Sequence, residues 1–588
     1  MPPLQRLLAV LGLFGLLIGA GWVASAWRQR QLPVATSRTT PPVTLSKARQ
    51  QDIWRAEHTT FQIEHRFGPV FLRALATGDA GLIAASLTRE FEGQTLGTPA
   101  EVRRDHAGIR EERLSREASP STPTVSGQVI AESLLAAHGR VSSPSRSSLR
   151  VLAIRPTPAT NVSWIARILI TSVGARDDGQ LALVQSEHEI SGIVLDGKRL
   201  GDVPWINRWT FETLTTRVGR QHLFEEATTA CHLDQLPIPD NWNLAPSSVK
   251  QNRFQWAVAD FNRDGRLDVA IAALGVPPLL LEGTAGGTFQ PAGQRTGLVT
   301  GSVRDRLENM AAAWIDFDND SWPDLVLGDR VYRNQEGKSF QDVTQRSGLG
   351  FLPECMGCLV ADYDCDGRLD LYVLYQKRLG AQPTGKEQWI DETGSGLANQ
   401  LWHNEGHGRF RNVTTESHAG GGDRHTHAAS WFFYDDDHFP DLYLANDFGR
   451  NVVLRNLGDG SFEDISDATA ANGFATSMGV ATGDLDNDGQ TDVYVANMYS
   501  KMGRRIIGLV GEDDYPEGVY RQIQGSCAGN RLYHRATTTA FQELSAEAGV
   551  NGVGWAYAPV LADFDADGRL DIYATTGFLS FDRKKPDG

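Results

Sequence analysis

The densest chemistry in the chain lies at residues 362–370, DYDCDGRLD, where four carboxylates fall within nine positions. Like charges this close repel one another unless a cation sits among them. Asp362, Asp364, Asp366 and Asp370 take positions 1, 3, 5 and 9 of a loop whose sixth position, Gly367, is where a calcium loop turns sharply. Hard oxygen donors in this number favour calcium over zinc or copper. A helical calcium loop carries a bidentate Glu at position 12. Here that position is Val373, inside a run of β-branched and aromatic residues, so the loop is expected between two strands.

The frame recurs along the chain. It returns as Asp260, Asn262, Asp264 and Asp268; as Asp316, Asp318, Asp320 and Asp324, with Ser321 in the glycine position; as Asp484, Asp486, Asp488 and Asp492; and as Asp563, Asp565, Asp567 and Asp571. A further copy, FYDDDHFPD, has Phe433 where the first ligand belongs and His438 where glycine belongs. It keeps Asp435, Asp437 and Asp441, and is expected to be a weak or empty site. One such loop could be an acidic surface turn; repetition at a fixed frame argues for a metal-binding repeat.

Each loop runs into a short strand, and each repeat but the last then carries an aromatic tail, at Phe289, Phe340, Phe410, Phe462 and Phe541. The last loop has no tail, yet an orphan tail with Phe224 precedes the first loop. Six loops and six tails displaced by half a repeat are what ring closure requires, because closure removes exposed sheet edges. The expectation is a β-propeller in which the Phe224 tail completes the blade begun by the C-terminal strands.

These loops and strands, with phrases such as VYRNQEGKSFQDVTQRSGL and LYLANDFGRNVVLRN, resemble the FG-GAP or VCBS repeats of integrin α-chain propellers and of cartilage acidic protein and its bacterial relatives. The resemblance covers about 217–588. It implies an extracellular, calcium-stabilised propeller, usually of seven blades, so the fold expected is mainly β: a six- or seven-bladed propeller. Six repeats are visible, and a seventh blade would be cryptic.

Composition fits export. The formal charge of −16 disfavours nucleic acid and anionic lipid as partners, and calcium loops of extracellular type suit compartments rich in calcium. Residues 1–30 read as a signal peptide or a membrane anchor: Arg6 precedes an apolar run, and Ala24-Ser25-Ala26 offers a small-residue cleavage site. A Pro/Thr-rich linker, 31–50, follows. The location expected is periplasmic or cell-surface, with membrane contact only through such an anchor. Five cysteines, two of them in the Cys355/Cys358 pair, point to a local disulfide or to buried thiols.

Residues 51–212 form a different domain. Phe61, Phe67, Val70, Phe71 and Leu75 have helical spacing, Gly78-Asp79 marks a break, and strand-like runs follow. This is an α+β pattern, and its element order resembles an NTF2-like or SnoaL-like cone. The polar run from about 98 to 125 is expected to be a loop.

Two insertions separate loop from tail in the third and fifth repeats. They should project opposite the calcium loops, and long loops on a rigid scaffold commonly carry recognition. Trp389, Arg504, Arg505, Tyr515 and Tyr520 are the candidate contacts, the arginines suiting a carboxylate or anionic glycan. His425 and His427 share a strand face but lack a clear third ligand. No nucleophile elbow, HExxH or phosphate loop nominates a catalytic centre. The reading is an exported binding protein that takes a protein or glycan. Its rival is an enzyme, either a polysaccharide-active propeller or a small-molecule enzyme using the cone.

Overall fold

A computed structural model describes residues 45–97, 100–106, 108–116, 123–156, 163–193, 204–219, 224–236, 254–273, 277–299, 309–350, 355–376, 396–515, 518–535 and 540–577. The signal or anchor segment and Trp389 lie outside these residues. No helix among the described residues is long and apolar enough to cross a membrane.

The N-terminal domain starts earlier than its pattern suggested, at the helix Lys47–Gln62, and its last strand runs to Gly219. Gly78 ends the helix Gly68–Thr77 at φ 70°, and Asp79 caps the next helix through a hydrogen bond from the Gly81 amide. A sheet of seven strands carries the helices on one face. Its long strands, Ser163–Ala175 and Leu181–Ile193, alternate buried and half-buried residues with period two, as a sheet with one covered face requires. Phe67, Phe71, Trp205 and Trp209 fill the space between layers.

The polar run expected as a loop is instead a hairpin, Ala100–His106 with Ile109–Ser115. Hydrophobic periodicity missed it because charge, not apolar burial, matches the two strands. Arg103 stands opposite Glu112, Arg104 opposite Glu111 and Asp105 opposite Arg110.

Among the described residues the repeats form five antiparallel four-stranded sheets and a sixth of two strands, each meandering in chain order, with a further short pair, Gly449–Arg450 and Phe474–Ala475, beside the fourth. The first strands of successive repeats pack side by side from Phe254–Ala259 through Ala556–Ala562. The chain is therefore mainly β. Within each repeat, the acidic loop joins strands one and two. In the fifth repeat the insertion joins strands two and three, at the opposite end of the sheet, while residues 377–395 of the third-repeat insertion lie outside the described residues.

Neighbouring repeats share aromatic contacts: the tail ring of one packs on the second loop residue of the repeat before it. The pairs are Phe340 with Phe261 at 5.5 Å, Phe410 with Phe317 at 6.3 Å, Phe462 with Tyr363 at 5.9 Å and Phe541 with Tyr434 at 6.2 Å. Phe224 makes the same contact with Phe564 at 5.4 Å. The Cys231 carbonyl accepts the Phe289 amide at 3.2 Å, as the Thr296 carbonyl accepts that of Phe340 at 2.8 Å. Residues 224–236 thus take the tail position one step beyond the sixth sheet and do not pair as its fourth strand. That sheet has two strands among the described residues. Its Tyr573 is 45% exposed, whereas the equivalent Tyr372 and Tyr443 are sealed.

All five cysteines are free thiols. Burial pushes the Cys355 thiol up to about 11, so the pair is an inert part of the core.

Candidate metal centres and an arginine cleft

The acidic loops share one backbone design. Position 1 accepts two amides of its own loop: Asp362 takes those of Asp366 at 3.0 Å and Gly367 at 2.9 Å. Asp260, Asp316, Asp484 and Asp563 repeat the pattern. Position 5 accepts the amide two residues on, as Asp366 does from Arg368 at 2.9 Å. Positions 4 and 6 have positive φ, for example Cys365 at 57° and Gly367 at 84°. Glycine suits the sixth position for that reason, and Ser321 sits there at 69° against its own preference.

The ninth aspartate is a buried bracket. Asp370 accepts the Tyr363 amide at 3.2 Å and the Asn404 amide at 2.7 Å, joining its loop to the third strand. Asp268, Asp324, Asp441 and Asp492 do the same. Desolvation pushes Asp324 and Asp370 up to about 8, and the neighbouring loop carboxylates add to the shift. Asp318 Oδ1 and Asp364 Oδ1 are buried without hydrogen-bond partners. Crowded carboxylates, raised affinity for protons and orphaned buried oxygens are what a hard cation would relieve. The residues therefore fit calcium, held by positions 1, 3, 5 and 9.

The degenerate loop departs from this design. Phe433 is exposed, and neither Asp436 nor His438 takes the left-handed conformation of positions 4 and 6. Asp435 is paired with Arg455 at 2.6 Å, Asp437 accepts the Phe439 amide at 2.9 Å, and Asp441 keeps only the bracket role.

Sequence reasoning missed the third strand. Asn334, Asn404 and Asn456 are buried, and each donates to two carbonyls, one in its own repeat and one in the loop of the repeat before. Their signal was present as an Asn following Arg or His in YRN, WHN and LRN. On the loop rim, position 4 of one loop donates to position 6 of the next. Arg263 reaches the Ser321 carbonyl, Asn319 that of Gly367 at 2.9 Å, Cys365 that of His438 at 3.7 Å and Asn487 that of Gly568 at 3.0 Å.

At the other end, the fifth-repeat insertion folds into the helices Lys501–Ile507 and Val519–Cys527. The two arginines part company. Arg505 is 8% exposed and turned inward, bidentate to Glu57 at 3.1 and 2.9 Å and bonded to the Val151 carbonyl at 3.3 Å. It anchors the insertion to the N-terminal domain, whose core also takes Leu509. Arg504 stays exposed above the Tyr499 ring. With Arg450, Arg521 and Arg531 it lines a cleft of about 770 Å³ in which Glu543 is the one acidic residue. Tyr515 and Tyr520 pack on each other at 6.3 Å, and Tyr520 bonds the Ile507 carbonyl at 3.5 Å, so both brace the insertion.

The N-terminal core holds a second polar cluster. His138 bridges Ser172 at 3.0 Å and Ser186 at 2.8 Å, and Ser186 also meets His188 at 2.7 Å. Burial lowers His138 to about 4 and drives His188 down as well. His188 is 1% exposed, against Trp209 and Phe211.

Comparison with known proteins matches the FG-GAP-like repeat family at residues 260–327, 316–373 and 434–495. Cartilage acidic protein 1 of Xenopus tropicalis is 24% identical over 292 residues, covering 44% of this chain and 42% of the relative. The chain thus matches under half the length of that relative. Among solved structures, a Novosphingobium aromaticivorans protein assigned as a scytalone dehydratase aligns at 11% identity and a TM-score of 0.18, over 30% of this chain and 93% of its own. LinA aligns at 12% and 0.15, over 28% and 84%. Scores this low lend no support to a shared chemistry. The chain carries three matched stretches of FG-GAP-like repeat, with weak homology to cartilage acidic protein.

Proposed function

We propose that the protein is an exported interaction protein whose repeats form a calcium-stabilised β-propeller of seven positions, and that it binds an anionic protein or glycan in the arginine cleft opposite the loops. The cleft carries this reading. Four arginines and one glutamate line it in a chain of net charge −16, Arg504 and Arg521 on an insertion tied to a second domain. Arg450 is paired to Asp467 and Arg521 to Glu512, and Arg504 is left over the Tyr499 ring. Guanidinium groups pair bidentately with carboxylates, so a carboxylate-bearing ligand fits. The Phe224 segment supports seven positions rather than six, since its ring meets Phe564 and its Cys231 carbonyl accepts the Phe289 amide as tails of the other repeats do. Calcium is structural in this reading: it compensates the loop charge and fixes strands one and two. The rival enzyme in the N-terminal domain is not favoured, since His138 and His188 are sealed from solvent.

Calorimetric titration of the full chain with oligogalacturonate, against a neutral oligosaccharide of equal length, tests the cleft. Binding by the acidic probe alone, weakened at least tenfold by Arg504→Glu with Arg521→Glu, is the expected result. Equal binding of both probes, or indifference to charge reversal, would sink the reading.

A further inference from the structure

The third-strand residue just before the amide that meets the ninth aspartate differs among repeats: Glu282, Arg333, His403, Arg455 and His534. In the second and fourth repeats a cationic side chain lies on the loop carboxylates. Arg333 Nε is 2.6 Å from Asp318 Oδ2, and Arg455 Nε is 2.6 Å from Asp435 Oδ2. The fold therefore accommodates positive charge at this place.

In the third repeat the same place holds an imidazole. His403 Nδ1 is 3.4 Å from Asp364 Oδ2 and 3.2 Å from Asp370 Oδ1. Nδ1 and Asp364 Oδ1 are both buried and lack hydrogen-bond partners, and the imidazole side chain is 15% exposed. Ligands about 2.0–2.2 Å from one ion stand roughly 3.0–3.5 Å apart, as the imidazole nitrogen does from each carboxylate, and all three ligand atoms lie within 4.8 Å of one another. A nitrogen donor among carboxylates also moves preference from hard calcium toward borderline ions such as zinc.

We propose that the third repeat is a mixed imidazole–carboxylate site for a borderline divalent cation, zinc being the reference, ligated by Asp364, Asp370 and His403. The fifth repeat carries a looser copy: His534 Nδ1 lies 3.0 Å from Asp492 Oδ1 but 3.9 Å from the more exposed Asp486 Oδ2. The proposal revises the calcium reading for these loops alone and does not depend on it elsewhere.

The test is a cobalt titration of the EDTA-treated full chain, read by visible d–d absorption and chased with zinc. One tight equivalent is expected, displaced by stoichiometric zinc and weakened at least tenfold in His403→Arg. That variant copies the second repeat and so should keep the fold, which its melting in calcium checks. A double variant, His425→Ala with His427→Ala, should retain the tight site. Cobalt bands that persist undiminished in His403→Arg, or their absence from the unaltered chain, would overturn the proposal. Calcium-dependent melting of His403→Arg is scored separately, so failure of the zinc site and failure of the calcium reading stay distinguishable.

Discussion

Asn404 ties three pieces of backbone at once. Its amide nitrogen donates to the Phe317 and Leu369 carbonyls, and its side-chain oxygen accepts the Gly406 amide. Asn404→Ala leaves those buried groups unpaired and should lower stability by roughly 2–3 kcal/mol, measured by urea unfolding. The opposite sign is expected at Ser321, where a left-handed conformation costs a non-glycine residue on the order of 1 kcal/mol. Ser321→Gly should raise the unfolding midpoint. His138 sets an acid limit for the N-terminal domain. Its folded pKa of about 4 lies below the 6.5 of the unfolded chain, so only the unfolded state takes up the proton between those values. Stability is full above about pH 6.5 and falls as pH drops toward 4, by roughly 3 kcal/mol in all. His138→Gln should flatten that limb in melts recorded from pH 7 to 4.

At the scale of elements, the helix Lys501–Ile507 acts as a tie between repeat five and the N-terminal domain. Removing one partner of the Arg505–Glu57 pair strands a largely buried charge. Glu57→Ala should therefore cost on the order of 2 kcal/mol and make the insertion the earliest site of limited proteolysis. Loops and strands were legible in the sequence because each repeat states its own frame, with aspartates at fixed spacing followed by β-formers. The hairpin at Ala100–Ser115 was not, since its pairing rests on cross-strand charges that no periodicity reports. Nor did sequence separate Arg504 from Arg505, whose opposite fates depend on a glutamate 448 positions away. The third-strand asparagines were visible as a recurring letter, but their meaning depends on carbonyls of the preceding repeat.

Across the whole molecule, the acidic excess and the buried ninth-position aspartates give a pH response opposite to that of His138. Asp324 and Asp370, raised to about 8, ionise more readily in the unfolded chain, so without a cation their repeats lose stability as pH rises from about 4 to 8. In EDTA the repeats should melt higher at pH 5 than at pH 7.5. Millimolar calcium should reverse that order, and scanning calorimetry of the full chain reads both. The rim bonds from one loop to the next add a mechanical property. Loops one to four form a continuous run, as do loops five and six, but the fourth-position residue of the degenerate loop, Asp436, faces Arg535 at 3.9 Å. Between them the link leaves the rim and runs inward: Arg535, on the third strand of the fifth repeat, donates to the Phe433 carbonyl at 3.3 Å and lies over the Tyr434 ring, so a tug applied at the first loop is handed at the fourth to the body of the next sheet.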